Sequence, residues 1–170
     1  MLSESARVTT AAEARFRIDA PNSAPRTIKV IALDGASERV VKHLAARRWN
    51  RAVFLTASAF EAAPHDGTPF SMQGWLKDLA GRTKSLVDEI DTADLVVMIA
   101  ASGENAPAAA IVAEACGAKN VMTTALVLGS ETASEEALSK SLAQLRPHVM
   151  MLVISNADEY IEDMLTALRA

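Results

Sequence analysis

From Thr27 onward the chain alternates short, uninterrupted apolar runs with longer stretches in which apolar residues recur every three to four positions. Residues 28–33, 52–56, 94–100, 120–128 and 149–155 are the apolar runs, and they read as strands buried on both faces. Between the first two, residues 38–48 put Val40, Val41, Leu44 and Ala45 on one helical face. Residues 73–90, 106–117, 134–145 and 158–168 read as the remaining helices. Ser134 followed by Glu135 and Glu136 is a helix start, and Gly117 after Cys116 a helix stop.

Strands joined by helical crossovers run parallel, so the expectation is an α/β chain: a three-layer, doubly wound parallel sheet of about five strands, Rossmann/flavodoxin-like, in the order 2-1-3-4-5. That order reverses between the first and third strands, and ligands of such sheets bind where it reverses. The loops leaving those strands, 34–37 and 100–105, also carry glycine and small polar residues. Residues 1–26, ending in Pro21-Asn22-Ser23-Ala24-Pro25, read as an N-terminal tail or arm, in which Phe16 and Ile18 leave room for a short edge strand. Residues 27–170 read as a single domain. The segment 58–74, with Pro64, Asp66-Gly67 and Pro69, reads as either a flap over a site or an inserted turn.

Composition narrows the class of partner. Half of the 170 residues are hydrophobic, 22% are charged and the net charge is -4, which suits one domain with a real core and offers no basic stripe for nucleic acid. The single cysteine, Cys116, sits on the apolar side of its helix and reads as a buried structural thiol. His43, His65 and His148 lie in different segments without acid or thiol at ligand spacing, so no metal site is expected. No apolar run reaches the roughly 18 residues of a membrane helix and residues 1–26 lack the apolar centre of a signal peptide, so the expectation is a cytoplasmic protein without a membrane partner.

The two loops carry the candidate chemistry. Gly35 permits a tight turn or close approach to a ligand, and Ser37 can cap a helix or bond a phosphate. In the second loop Ser102 and Asn105 can cap the following helix, Gly103 allows the turn, and free N–H groups of the first helical turn can receive an anion, with Pro107 compatible with that position. Glu104 opposes an anion there and suits a hydroxyl or a metal-bound water. Asp34 is a candidate general base and Asp94 a strand-start carboxylate; for both a structural role is the alternative. Neither loop matches the glycine signatures of dinucleotide or Walker nucleotide sites, and the residues name no cofactor.

Residues 27–160 resemble the nucleotide-binding half of the FtsZ/tubulin superfamily. The segments that carry the resemblance are residues 93–101, Ala108 to Glu114, the strand at Val121, and residues 145–156 ending in Asn156, with the opening Ile28-Lys29-Val30-Ile31 and a turn at Gly35. The family's glycine-rich phosphate loop is replaced by Ala101-Ser102-Gly103-Glu104-Asn105-Ala106, and its acidic catalytic loop and second domain have no counterpart in these residues. The resemblance therefore implies a degenerate domain without a complete GTPase site. Gly35-Ala36-Ser37 and Ser102-Gly103-Glu104-Asn105 also resemble the phosphate loops of SIS phosphosugar-binding domains, with Asn105 where threonine is usual.

Three functions follow as expectations. One is an FtsZ/tubulin-like domain that binds a nucleotide or other small phosphorylated ligand through Asp34, Gly35, Ser37, Ser102, Gly103, Glu104 and Asn105. Another is a SIS-like phosphosugar isomerase or sensor. The last is a non-catalytic interaction module, a homodimer for example, using apolar surface around Phe60, Phe70, Met72 and Trp75.

Overall fold

The computed structural model describes residues 25–57, 75–129, 133–156 and 158–170, with the backbone alone at Trp75 and Asp158. The tail to residue 24, the segment 58–74 and the side chains of Phe60, Phe70, Met72 and Trp75 lie outside the described residues. His65 does too. Among the described residues, seven strands form one sheet in the order β4-β3-β2-β1-β5-β6-β7. These are β1 (Ile28–Ala32), β2 (Ala52–Thr56), β3 (Trp75–Asp78), β4 (Thr83–Ser85), β5 (Leu95–Ala101), β6 (Met122–Leu128) and β7 (Met151–Ser155). The helices are α1 (Gly35–Ala45), α2 (Leu86–Asp91), α3 (Ala108–Lys119), α4 (Glu135–Leu145) and α5 (Asp158–Ala167), with a 3-10 turn at Arg146–His148.

The block β2-β1-β5-β6-β7 is parallel throughout, with β1 registered on β2 as Val30↔Phe54 and on β5 as Val30↔Val97. Both its faces are covered, which is why its strands are apolar at successive positions rather than at alternate ones. On one face α2, α3 and α4 pack through Leu86, Ile90, Ala109, Val112, Cys116 and Leu145 onto Ile31, Met98 and Val127. On the other, α1 and α5 bring Val41, Leu44, Ile161 and Leu165 onto Val30, Val97 and Leu126. Fully buried side chains such as Ile31, Ile99 and Leu126 each contribute roughly 1.5–3 kcal/mol. Cys116 is wholly buried in this core, and burial pushes its thiol up to about 12.

The strand count and full order depart from the expected five because the helix read over 73–90 does not form. The segment is an antiparallel hairpin, β3-β4, added beyond β2, followed by the short helix α2. Asp78 dictates the break: one of its carboxylate oxygens accepts the backbone N–H of both Ala80 and Arg82, and Gly81 takes φ +82. An Asx turn closed by a left-handed glycine outcompetes a continuous helix through residues 78–82.

Smaller departures have equally local causes. Helix α1 begins at Gly35 rather than 38 because Asp34 caps it. Helix α3 runs to Lys119 through Gly117, and its stop is Asn120 at φ 56, whose N–H bonds the carbonyls of Cys116 and Gly117. The last strand begins at Met151, because Pro147 fits the first turn of the 3-10 segment that follows α4. Ser134 caps α4, accepting the N–H of Ala137, as the Ser-Glu-Glu sequence predicts.

Candidate functional site

The loops after β1 and β5 do meet, and Asp34 is what joins them. Its Oδ1 accepts the backbone N–H of Ser37 at 2.7 Å, while its Oδ2 accepts the N–H of Ala101 at the end of β5 at 2.8 Å. The Ser37 hydroxyl completes the capping box, accepting the Asp34 N–H at 3.2 Å and donating to the Asp34 carbonyl at 3.0 Å. Asp34 is 6% exposed and Ser37 fully buried. The carboxylate thus occupies the helix N-terminus at the point of strand reversal, where a ligand anion would otherwise sit. Gly35 has open space around its missing side chain.

The second loop is held against α4. The Ser102 hydroxyl donates to the carbonyl of Leu128 at 2.8 Å, and the Ser102 N–H reaches the same oxygen at 3.0 Å. The Gly103 N–H donates to Ser141 Oγ at 2.8 Å. Glu104 N–H closes a turn on Ala101 C=O at 3.3 Å with Gly103 at φ +84, as a type II turn requires. A side chain on Gly103 would meet Ala137 Cβ at 3.1 Å, so this glycine serves both the turn and the packing of the loop on α4.

Neither Ser102 nor Asn105 caps α3; its N-cap is Pro107, with no side-chain cap bond. Glu104 and Asn105 are exposed. Of the seven candidate residues, Asp34, Ser37, Ser102 and the Gly103 amide are therefore engaged within the fold, and Glu104 and Asn105 face outward. Asp94 is structural as well, accepting the Thr27 N–H at 2.7 Å. Among the described residues no group of three or more His, Cys, Asp or Glu could hold a metal ion.

Asn105 does border open space, on the outer side of the helices. A groove of about 470 Å³ runs between Asn105, Pro107 and Ala110 on one side and Gln144 and His148 on the other. Gln144 Oε1 is buried there without a hydrogen-bond partner among the described residues. The groove continues into one of about 710 Å³ along Ala110, Ala113 and Glu114, facing Pro147, His148 and Met150. Met150 also borders a third space with Met122, so the small-residue side of α3 ends in a methionine rim.

That rim leads to a surface that sequence reading passed over, at β7, the last strand of the sheet among the described residues. Met150 is 77% exposed, and Met122, Met151, Ile154 and Tyr160 are about half exposed. No charged residue lies in β7. At the opposite edge of the sheet, β4 is three residues long, carries Lys84 and follows Arg82. Charge and shortness blunt an edge strand against pairing; β7 has neither protection. The signal lies in the sequence as Met150-Met151-Leu152-Val153-Ile154, but an apolar run reads as a buried strand until its place at the edge is known.

No protein-family description matches the sequence, and a search of curated proteins finds none similar to it. Among solved structures, the chain is similar to translation elongation factor SelB from Methanococcus maripaludis in complex with the GTP analogue GPPNHP, at 7% identity over 85% of this chain and TM-score 0.49. The apo form of that factor is similar at 11% identity, also over 85% of this chain, with TM-score 0.44. The chain covers 33% and 36% of those two chains, so it spans about a third of their length. No described helix is long and apolar enough to cross a membrane.

Proposed function

We propose that this α/β domain is a polypeptide-association module without catalytic chemistry of its own, and that the exposed apolar surface at β7 with its methionine rim is the associating surface. The observation that carries this reading is the asymmetry of the sheet among the described residues: β4 at one end is short and charged, and β7 at the other is five uncharged residues, with Met151 and Ile154 exposed in it and Met150 and Tyr160 exposed beside it. Exposed apolar side chains in and beside the last strand of a sheet are a surface that another polypeptide can cover. Methionine suits such a surface because its flexible, polarizable side chain adapts to a partner.

The alternative of a nucleotide or sugar phosphate at the strand reversal has less support. The donors it needs already serve Asp34, Leu128 and Ser141, and the Asp34 carboxylate stands where the phosphate charge would go.

One experiment separates the two. Cys116 is buried, so in an Ile154→Cys variant of the full chain the new thiol is the accessible one. The association reading expects slowed alkylation of that thiol in concentrated protein, and no rise in melting temperature with GTP, ATP or sugar phosphates at millimolar concentration. A rise of several degrees with one of these compounds, abolished in Asn105→Ala, would overturn it by mass action.

A further inference from the structure

We infer that the groove beside α3 is a second docking site, and that its occupant is an extended segment of a partner polypeptide carrying a lysine or arginine. The groove runs between Ala110 and Ala113 of α3 and His148 of the 3-10 turn, from Asn105 at one end to Met150 at the other.

Two side-chain amides stand at the first end. Asn105 is exposed, and Gln144 Oε1 is shut off from water without a hydrogen-bond partner among the described residues. A buried acceptor left unpaired costs free energy, so an occupant that turns the Gln144 amide toward itself and donates an N–H is favoured. A primary amide offers one acceptor and an NH2 donor, the same pair of functions that a peptide group presents. Two of them at one end of a groove match a polypeptide backbone without reading its side chains.

Glu114 supplies the selectivity. It is exposed and lines the groove, and no lysine or arginine borders either stretch of it among the described residues. The field along the groove is therefore that of one carboxylate, and a cationic side chain complements it. From Pro107 to Glu114 the helix rises about 10 Å, at 1.5 Å per residue. An extended chain covers that length in about three residues, which sets the basic residue about three positions from the peptide group held at Gln144. Ala110 and Ala113 keep the floor between them low, and Met150 gives the far end a flexible apolar wall. Small-molecule pockets enclose their ligand; two open stretches of about 470 and 710 Å³ joined along one helix suit a chain.

The test is fluorescence anisotropy of the full chain with two pools of labelled octapeptides. One pool has lysine fixed at the fifth position and the other glutamate, with Ala, Leu, Ser or Thr elsewhere. The lysine pool is expected to bind saturably and about fivefold more tightly than the glutamate pool, and Glu114→Lys to reverse that order. Gln144→Met keeps the length of the side chain and removes its amide, and is expected to weaken both pools about fivefold. Asp163→Lys makes the same change of net charge at an exposed site on α5, across the sheet, and is expected to leave the order as it stands. No saturable binding of either pool, an order unchanged in Glu114→Lys, affinities unchanged in Gln144→Met, or an order reversed equally by Asp163→Lys overturns the groove site. The association at β7 is read separately, by the Ile154→Cys thiol, and none of these results moves it.

Discussion

The Asp34 carboxylate and the Ala101 amide, 67 positions apart in sequence, are joined by a 2.8 Å hydrogen bond that ties the end of β5 to the start of α1. The helix N-terminus that strand order marks for a ligand carries the protein's own carboxylate. The same carboxylate caps α1 through Ser37, so one side chain satisfies two buried or partly buried N–H groups on different elements.

Asp34→Ala removes the cap and leaves the Ala101 N–H without its acceptor. We expect a loss of about 3 kcal/mol in denaturant unfolding, the sum of a lost cap and an unpaired N–H. Asp34→Asn, which keeps one acceptor, is expected to lose about half as much. Equal and negligible losses in both would show that the bridge has no structural role.

The two glycines near α3 should respond in opposite directions. Gly103→Ala imposes a side chain at φ +84 and 3.1 Å from Ala137 Cβ, and we expect it to cost about 2 kcal/mol. Gly117 lies inside a helix with nothing within 4 Å of an added Cβ, so Gly117→Ala should gain roughly 0.5–1 kcal/mol. Thermal unfolding of the two variants reads both signs.

How far the sequence declares the structure can be judged from these same loops. The five parallel strands are legible because burial on both faces forces continuous apolar runs, and Ser134 is legible because a cap is a local event. The β3-β4 hairpin is not, since Leu76 and Leu79 suit a helix until Asp78 and Gly81 are seen to share one turn. The candidate site is legible as a place and not as a chemistry. Whether Ser37 and Ser102 serve a ligand or the fold depends on the positions of Asp34 and Leu128, which periodicity does not reveal.

Lys29 lies in the central strand β1 with a side chain 5% exposed, and its ammonium meets Glu89 at 2.6 Å. Glu89→Ala strands that charge in the core and should cost about 3 kcal/mol, whereas the double change Lys29→Met and Glu89→Met should come within about 1 kcal/mol of wild type. A double variant as unstable as the single one would contradict this account of the pair.

Cys116 gives the fold an alkaline limit. Its folded pKa of about 12 lies above the ordinary 9.0, so its contribution to stability is full below pH 9 and is lost as pH rises toward 12. Cys116→Ala should flatten that decline in unfolding free energy. In wild type the thiol should stay unreactive to a chromogenic disulfide at neutral pH until the protein is unfolded.

The most direct measurement of the central claim is amide hydrogen exchange on the full chain at two protein concentrations far apart. If chains associate through the surface at β7, the amides of β7 exchange more slowly in the concentrated sample than in the dilute one, while those of β4 exchange alike in both. β7 amides that exchange at the same rate at both concentrations would contradict it.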